Sequence, residues 1–166
     1  AFELLNDIKK YVNGQLDRFL KSGLFRVNLW EQTFQIFKDN PIIGIGTGNW
    51  KIIFPSYGFN KLNNHQKQEI VFQRPHNDYL WVLSETGLLG FILYLSIFIV
   101  VIFYSIRIIK EHSGYNERLL SLMMLSGIIF YLVFSFFSFP KERIFSSIIL
   151  AIMIAVIISI YHSLRP

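Results

Sequence analysis

The sequence contains no cysteine, which excludes disulfides, thiol nucleophiles and Cys-ligated metals from these 166 residues. It also has no run or stripe of Lys and Arg. The 16 basic residues outnumber the 11 acidic ones, but they are scattered, which argues against a nucleic-acid interface despite the net charge of +5. None of the long apolar stretches reads as a secretory leader, because the first lies far from Ala1 and no small-residue cleavage pattern follows it. Most telling is the loss of charge and proline from three long stretches, Leu88 to Ser105, Leu119 to Phe139 and Ile144 to Tyr161.

A helix needs roughly 20 apolar residues to cross about 30 Å of hydrocarbon. These stretches approach or meet that length and are apolar all round, without the polar stripe of a helix on a soluble core. The expected fold is therefore an all-α integral membrane protein. An amphipathic-helical extracytoplasmic (periplasmic) region over residues 1–86 precedes three transmembrane helices, at about 88–109, 119–139 and 144–163. Arg107, Lys110 and Arg118 between the first two spans favour a cytoplasmic 106–118 loop. That orientation leaves the N-terminal half and the 140–143 turn outside, and further membrane helices are expected upstream of Ala1.

Residues 1–86 divide by pattern. Apolar positions from Phe2 to Leu20 recur at helical spacing and predict an amphipathic helix ending near Gly23. A second helix is expected over Leu24 to Asp39, with Ser22 as its cap, Asn40 and Pro41 as its stop, and Arg26, Trp30 and Phe34 or Phe37 on one face. Gly44, Gly46 and Gly48 alternate in a segment that permits a tight backbone path or a close approach to a ligand. Their spacing is not that of a dinucleotide fingerprint, and a structural turn is the simplest reading. Residues 55 to 69 are rich in turn formers and read as an exposed loop, with His65 as a solvated side chain. Pro75 suggests a helix start that would put His76 at or beside a helix N-terminus, running on through Glu85 to Gly87.

Four elements in this order resemble the O-antigen ligase and O-antigen polymerase superfamily. They are the Arg-bearing helix from Arg26 to Trp30, the turn Asp39-Asn40-Pro41-Ile42-Ile43-Gly44-Ile45-Gly46-Thr47-Gly48, the element His76-Asn77-Asp78-Tyr79-Leu80, and the helix entry Glu85-Thr86-Gly87-Leu88-Leu89-Gly90. The resemblance covers about residues 22 to 105. It implies part of a larger multi-spanning glycosyltransferase of surface polysaccharide biosynthesis in the bacterial cytoplasmic (inner) membrane. Such an enzyme moves a glycan from undecaprenyl pyrophosphate to a hydroxyl of lipid A-core, a growing glycan or a protein. Neither a cofactor nor a metal is implied, and the ligase, polymerase and protein O-oligosaccharyltransferase share one donor. A non-catalytic transport or assembly protein is the reading from another class. The lack of ionisable residues and proline in the spans disfavours transport.

Transfer from a lipid pyrophosphate needs positive charge at the leaving group and a base near the acceptor. Arg26, Arg74 and Arg143 are the candidates for the pyrophosphate, because a guanidinium stays charged and pairs bidentately with phosphate oxygens. Arg143 could equally be a snorkelling anchor. His76 is the candidate catalytic group, either as a base for the acceptor hydroxyl or as a hydrogen-bond donor to phosphate. Gly44, Gly46, Gly48, Asn77 and Glu85 are expected to be structural or to lie on the acceptor side.

Overall fold

The computed structural model describes residues 23–58, 73–111 and 114–163. The expected helix over 1–21, its junction at Ser22, and His65 with residues 59–69 lie outside the described residues. Within them the architecture is all-helical: α1 over residues 23–39, α2 at Trp50–Gly58, α3 at Asp78–Glu111, α4 at Tyr115–Phe137, a 3-10 turn at Pro140–Glu142 and α5 at Ile144–Ser163.

Helices α3, α4 and α5 are each long and apolar enough to cross a membrane. They pack on one another around Phe98, Val101, Ile108, Ile128, Tyr131, Ile157 and Tyr161. Gly127 lets α4 and α5 approach closely, since a Cβ there would lie 2.5 Å from Met153 Sδ. Most other apolar side chains point outward: Phe130 is 70% and Phe145 83% exposed. Such surfaces are costly in water but not against lipid tails or further membrane helices.

A second core sits above the bundle. Leu29 and Ile36 from α1, Trp50 and Phe54 from α2, and Trp81 from α3 are buried together, with Trp30, Ile45, Tyr57 and Phe139 packed around them. The buried ridge of α1 is Leu29, Thr33 and Ile36, at i, i+4 and i+7; Phe34 lies off this ridge, and Arg26, in the exposed first turn, stands in line with it. The Trp50 indole donates to Thr33 Oγ1 (3.1 Å), and Thr33 donates onward to the Leu29 carbonyl, so the two helices are joined by a satisfied polar chain inside an apolar contact.

Two boundaries ahead of the spans differ from the sequence expectation. Residues 55–58 continue α2 instead of opening a loop, although Pro55 removes one ladder donor. Stacking of Trp50 on Phe54 (4.4 Å) and the hydrogen bond from Tyr57 to Asp39 (2.5 Å) hold this turn in place. Pro75 does not start α3. The helix begins at Asp78, and Asn77 Oδ1 accepts from the Leu80 N–H (3.0 Å) as its cap.

The long helix α3 breaks at Gly87 (φ 65°, ψ −169°). In an unbroken helix the N–H groups of Leu88 and Leu89 would donate to the carbonyls of Ser84 and Glu85. The loop after α1 takes both sides of this gap. Leu88 and Leu89 donate to the carbonyls of Pro41 and Ile42 (2.9 and 3.3 Å), while Ile45 and Gly46 donate to those of Ser84 and Glu85 (3.1 and 2.8 Å). The backbones meet with no room for a side chain: a Cβ on Gly44 would lie 2.4 Å from Glu85 C, and one on Gly87 would lie 2.3 Å from the Ile42 carbonyl oxygen. Gly44 and Gly87 both have positive φ, so two separate glycine motifs form one clamp.

Candidate functional site

The segment 73–77 is held between α1 and the turn joining α4 to α5. Trp30, one turn after Arg26 on α1, donates its indole N–H to the Pro75 carbonyl (2.9 Å) and meets Phe136 edge-on (5.8 Å). Asp78, fully buried at the head of α3, accepts the Lys141 N–H through Oδ2 (2.9 Å). These contacts bring 73–78 and 139–143 together, although more than 60 residues separate them in sequence.

Phe139 is the centre of the resulting cluster. The His76 ring packs edge-on against it (5.1 Å), and the guanidinium carbons of Arg74 and Arg143 lie 4.6 and 5.0 Å from its centroid. Arg74 also pairs with Glu142. Arg26 is exposed on α1, close enough for its charge to act on His76. Burial, then the charges of Arg26 and Arg74, hold the His76 pKa below the ordinary imidazole range, so the ring is neutral at pH 7 and can accept a proton. Three of the four residues expected to handle pyrophosphate and proton, His76, Arg74 and Arg143, thus gather at Phe139, and Arg26 acts on His76 by its charge.

A family model described as O-antigen ligase matches residues 2–95, more than half of the chain. The chain belongs to the O-antigen ligase family. No curated protein and no solved structure matches it. The family is of the glycosyltransferase or ligase type, and with the three apolar helices it makes this a multi-pass membrane protein.

In this O-antigen ligase family member the glycines and Glu85 form a second group. Glu85 is buried, and its Oε1 accepts the N–H groups of Gly48 (2.9 Å) and Trp50 (3.2 Å). Its carboxylate therefore caps α2 and occupies the anion position at that helix start. Gly46 and Gly48 have positive φ in the turn that carries those donors. Asn77 caps α3 through its Oδ1 and is buried.

Between the two groups lies a cavity of about 430 Å³, lined by Gly48, Lys51, Ile52, Gln73, Trp81, Glu85 and Glu142. Lys141 Nζ sits 4.1 Å from the Trp81 ring, and burial lowers its pKa. Phe139, Asp78, Trp81, Lys141 and Glu142 escaped the sequence reading as site residues. The Phe-Pro-Lys-Glu-Arg run between two spans was the visible signal for Lys141 and Glu142, since so polar a turn between apolar helices is free to serve a site. Among the described residues, no group of three or more His, Asp or Glu is arranged to hold a metal ion.

Proposed function

We propose that the His76, Arg74 and Arg143 cluster around Phe139, with Arg26 beside it, is the donor end of a transfer site. The enzyme moves a glycan from undecaprenyl pyrophosphate to an acceptor hydroxyl, on the periplasmic side of the bacterial inner membrane. The gathering of Arg74, Arg143 and a neutral His76 around one aromatic ring, with the charge of Arg26 acting on His76, is the observation that supports this reading. In the reaction the acceptor oxygen attacks the anomeric carbon as His76 takes its proton. The bond to the pyrophosphate breaks, its electron pair leaves with undecaprenyl pyrophosphate, and the arginines neutralise the charge that develops there. A single displacement of this kind inverts the anomeric configuration.

Helix α3 then has two tasks. Its part before Gly87 carries Asp78, Trp81 and Glu85 at the membrane surface, and its part after Gly87 spans the hydrocarbon. The kink at Gly87 between the two parts supports a site at the level of a lipid pyrophosphate.

Ligase, polymerase and protein O-oligosaccharyltransferase activities share this donor chemistry and differ in the acceptor. In cells, substitution of Arg26 or His76 in a ligase removes all glycan from lipid A-core. In a polymerase it removes only the long chains. Unchanged glycan on both lipid and protein in an Arg26→Ala strain would sink the assignment.

A further inference from the structure

We propose that the cavity between the glycine clamp and the cationic cluster is a subsite for one pyranose ring of the transferred glycan or of its acceptor. This inference rests on the transfer reading given above.

The cavity adjoins the proposed reaction site. Glu142 lines it and pairs with Arg74, whose guanidinium lies over Phe139 beside His76. A ring held there is therefore next to the phosphate cluster and separated from it by a single ion pair.

Its chemistry differs from that of the cluster. The cluster is cationic around an aromatic ring, whereas the cavity lining carries two carboxylates, Glu85 and Glu142, one ammonium, Lys51, and one amide, Gln73. A phosphate would meet both carboxylates there. A polyhydroxyl ring both donates and accepts, and suits a lining of mixed donors and acceptors.

One group in the lining also lacks a partner. Trp81 is 8% exposed, and its indole N–H is buried without a hydrogen bond among the described residues. A buried donor left unmade costs free energy, and a small turn of the indole toward the cavity would let a sugar hydroxyl or ring oxygen satisfy it. Lys51 and Gln73 are exposed, so the mouth of the cavity is polar and open while Trp81 and Glu85 form its buried side. Its volume falls within the range of small-molecule sites, about 300–1,000 Å³.

Saturation-transfer NMR on the full-length protein in detergent tests this with two probes. One is the free oligosaccharide cleaved by mild acid from the cell's lipid-linked donor, and the other is the oligosaccharide cleaved from its surface acceptor. One of the two is expected to bind, and its identity assigns the ring to donor or acceptor. Trp81→Phe, Lys51→Met and Gln73→Ala should each weaken that binding about three- to tenfold, the loss of one hydrogen bond. Lys51 and Gln73 are exposed, so their variants keep the comparison valid if Trp81→Phe folds poorly.

The proposal is overturned if neither saccharide binds, or if all three cavity variants bind as the wild type does. Saccharide binding by a wild-type protein that never consumes a lipid-linked donor would instead sink the transfer reading and leave the subsite standing. Transfer with an unchanged KM for both substrates in all three variants would sink the subsite alone.

Discussion

His76 is held by its backbone as much as by its ring. Its φ is 55°, in the left-handed region, the preceding Pro75 carbonyl accepts from Trp30, and the following Asn77 caps α3. A non-glycine residue in this region costs of order 1–3 kcal/mol, and asparagine tolerates it better than most. His76→Asn should therefore keep the fold, with thermal unfolding of the purified protein within roughly 1 kcal/mol of wild type. Transfer should nevertheless fall about 10²- to 10⁴-fold, the usual contribution of a general base. The lowered His76 pKa has a sign that can be checked. Because the neutral ring is the active form, activity should persist to lower pH than a free imidazole would allow. Removing the Arg26 charge lets the His76 pKa rise, so the acid limb of the residual activity of Arg26→Gln should move to higher pH. An acid limb that stays fixed in that variant, measured as kcat/KM against pH, would remove His76 from the role of base.

At the scale of elements, the kinked α3 and the loop clamped into it organise the site. Gly44→Ala and Gly87→Ala each push a Cβ into backbone less than 2.5 Å away at a positive φ, so the clamp must open. The conformation alone costs about 1–3 kcal/mol, and the lost hydrogen bonds add to it. Gly48→Ala meets nothing within 4 Å and should be milder. Limited proteolysis and thermal unfolding in detergent would rank the three, and equal stability of all three would contradict the clamp. Asp78→Ala should destabilise by about 1–3 kcal/mol, because it strands the Lys141 N–H at the junction of α3 with the 140–142 turn. Much of this level was legible in the sequence. Uncharged stretches located the spans, and the bounds of α5 match the expected 144–163. Glu85 was expected to be structural or to lie on the acceptor side, and its carboxylate caps α2. The helix ahead of Leu88 was read as running through Glu85 to Gly87 and on into the first span, as α3 does, but the kink at Gly87 was not legible, because a glycine within a helical pattern does not by itself mark one. The identity of its partner, a loop some 40 residues earlier, depends on backbone hydrogen bonds that no side-chain pattern encodes. Phe139 was hidden for a similar reason: an apolar residue at the end of an apolar stretch reads as part of the span.

For the whole molecule, membership of the O-antigen ligase family and three helices fit to cross a membrane set the frame. The upper core joins α1, α2 and the head of α3 into one unit, and the site lies where that unit meets the turn between α4 and α5. The central claim is that the cluster around Phe139 transfers a glycan from a lipid pyrophosphate. Its most direct test is a single-turnover assay on the full-length protein in proteoliposomes, with radiolabelled undecaprenyl-pyrophosphate-linked glycan and acceptor. The wild type should release undecaprenyl pyrophosphate in step with glycosylation of the acceptor, and His76→Asn and Arg26→Ala should each be slower by about 10²-fold or more. Transfer at the wild-type rate by either variant would contradict the account.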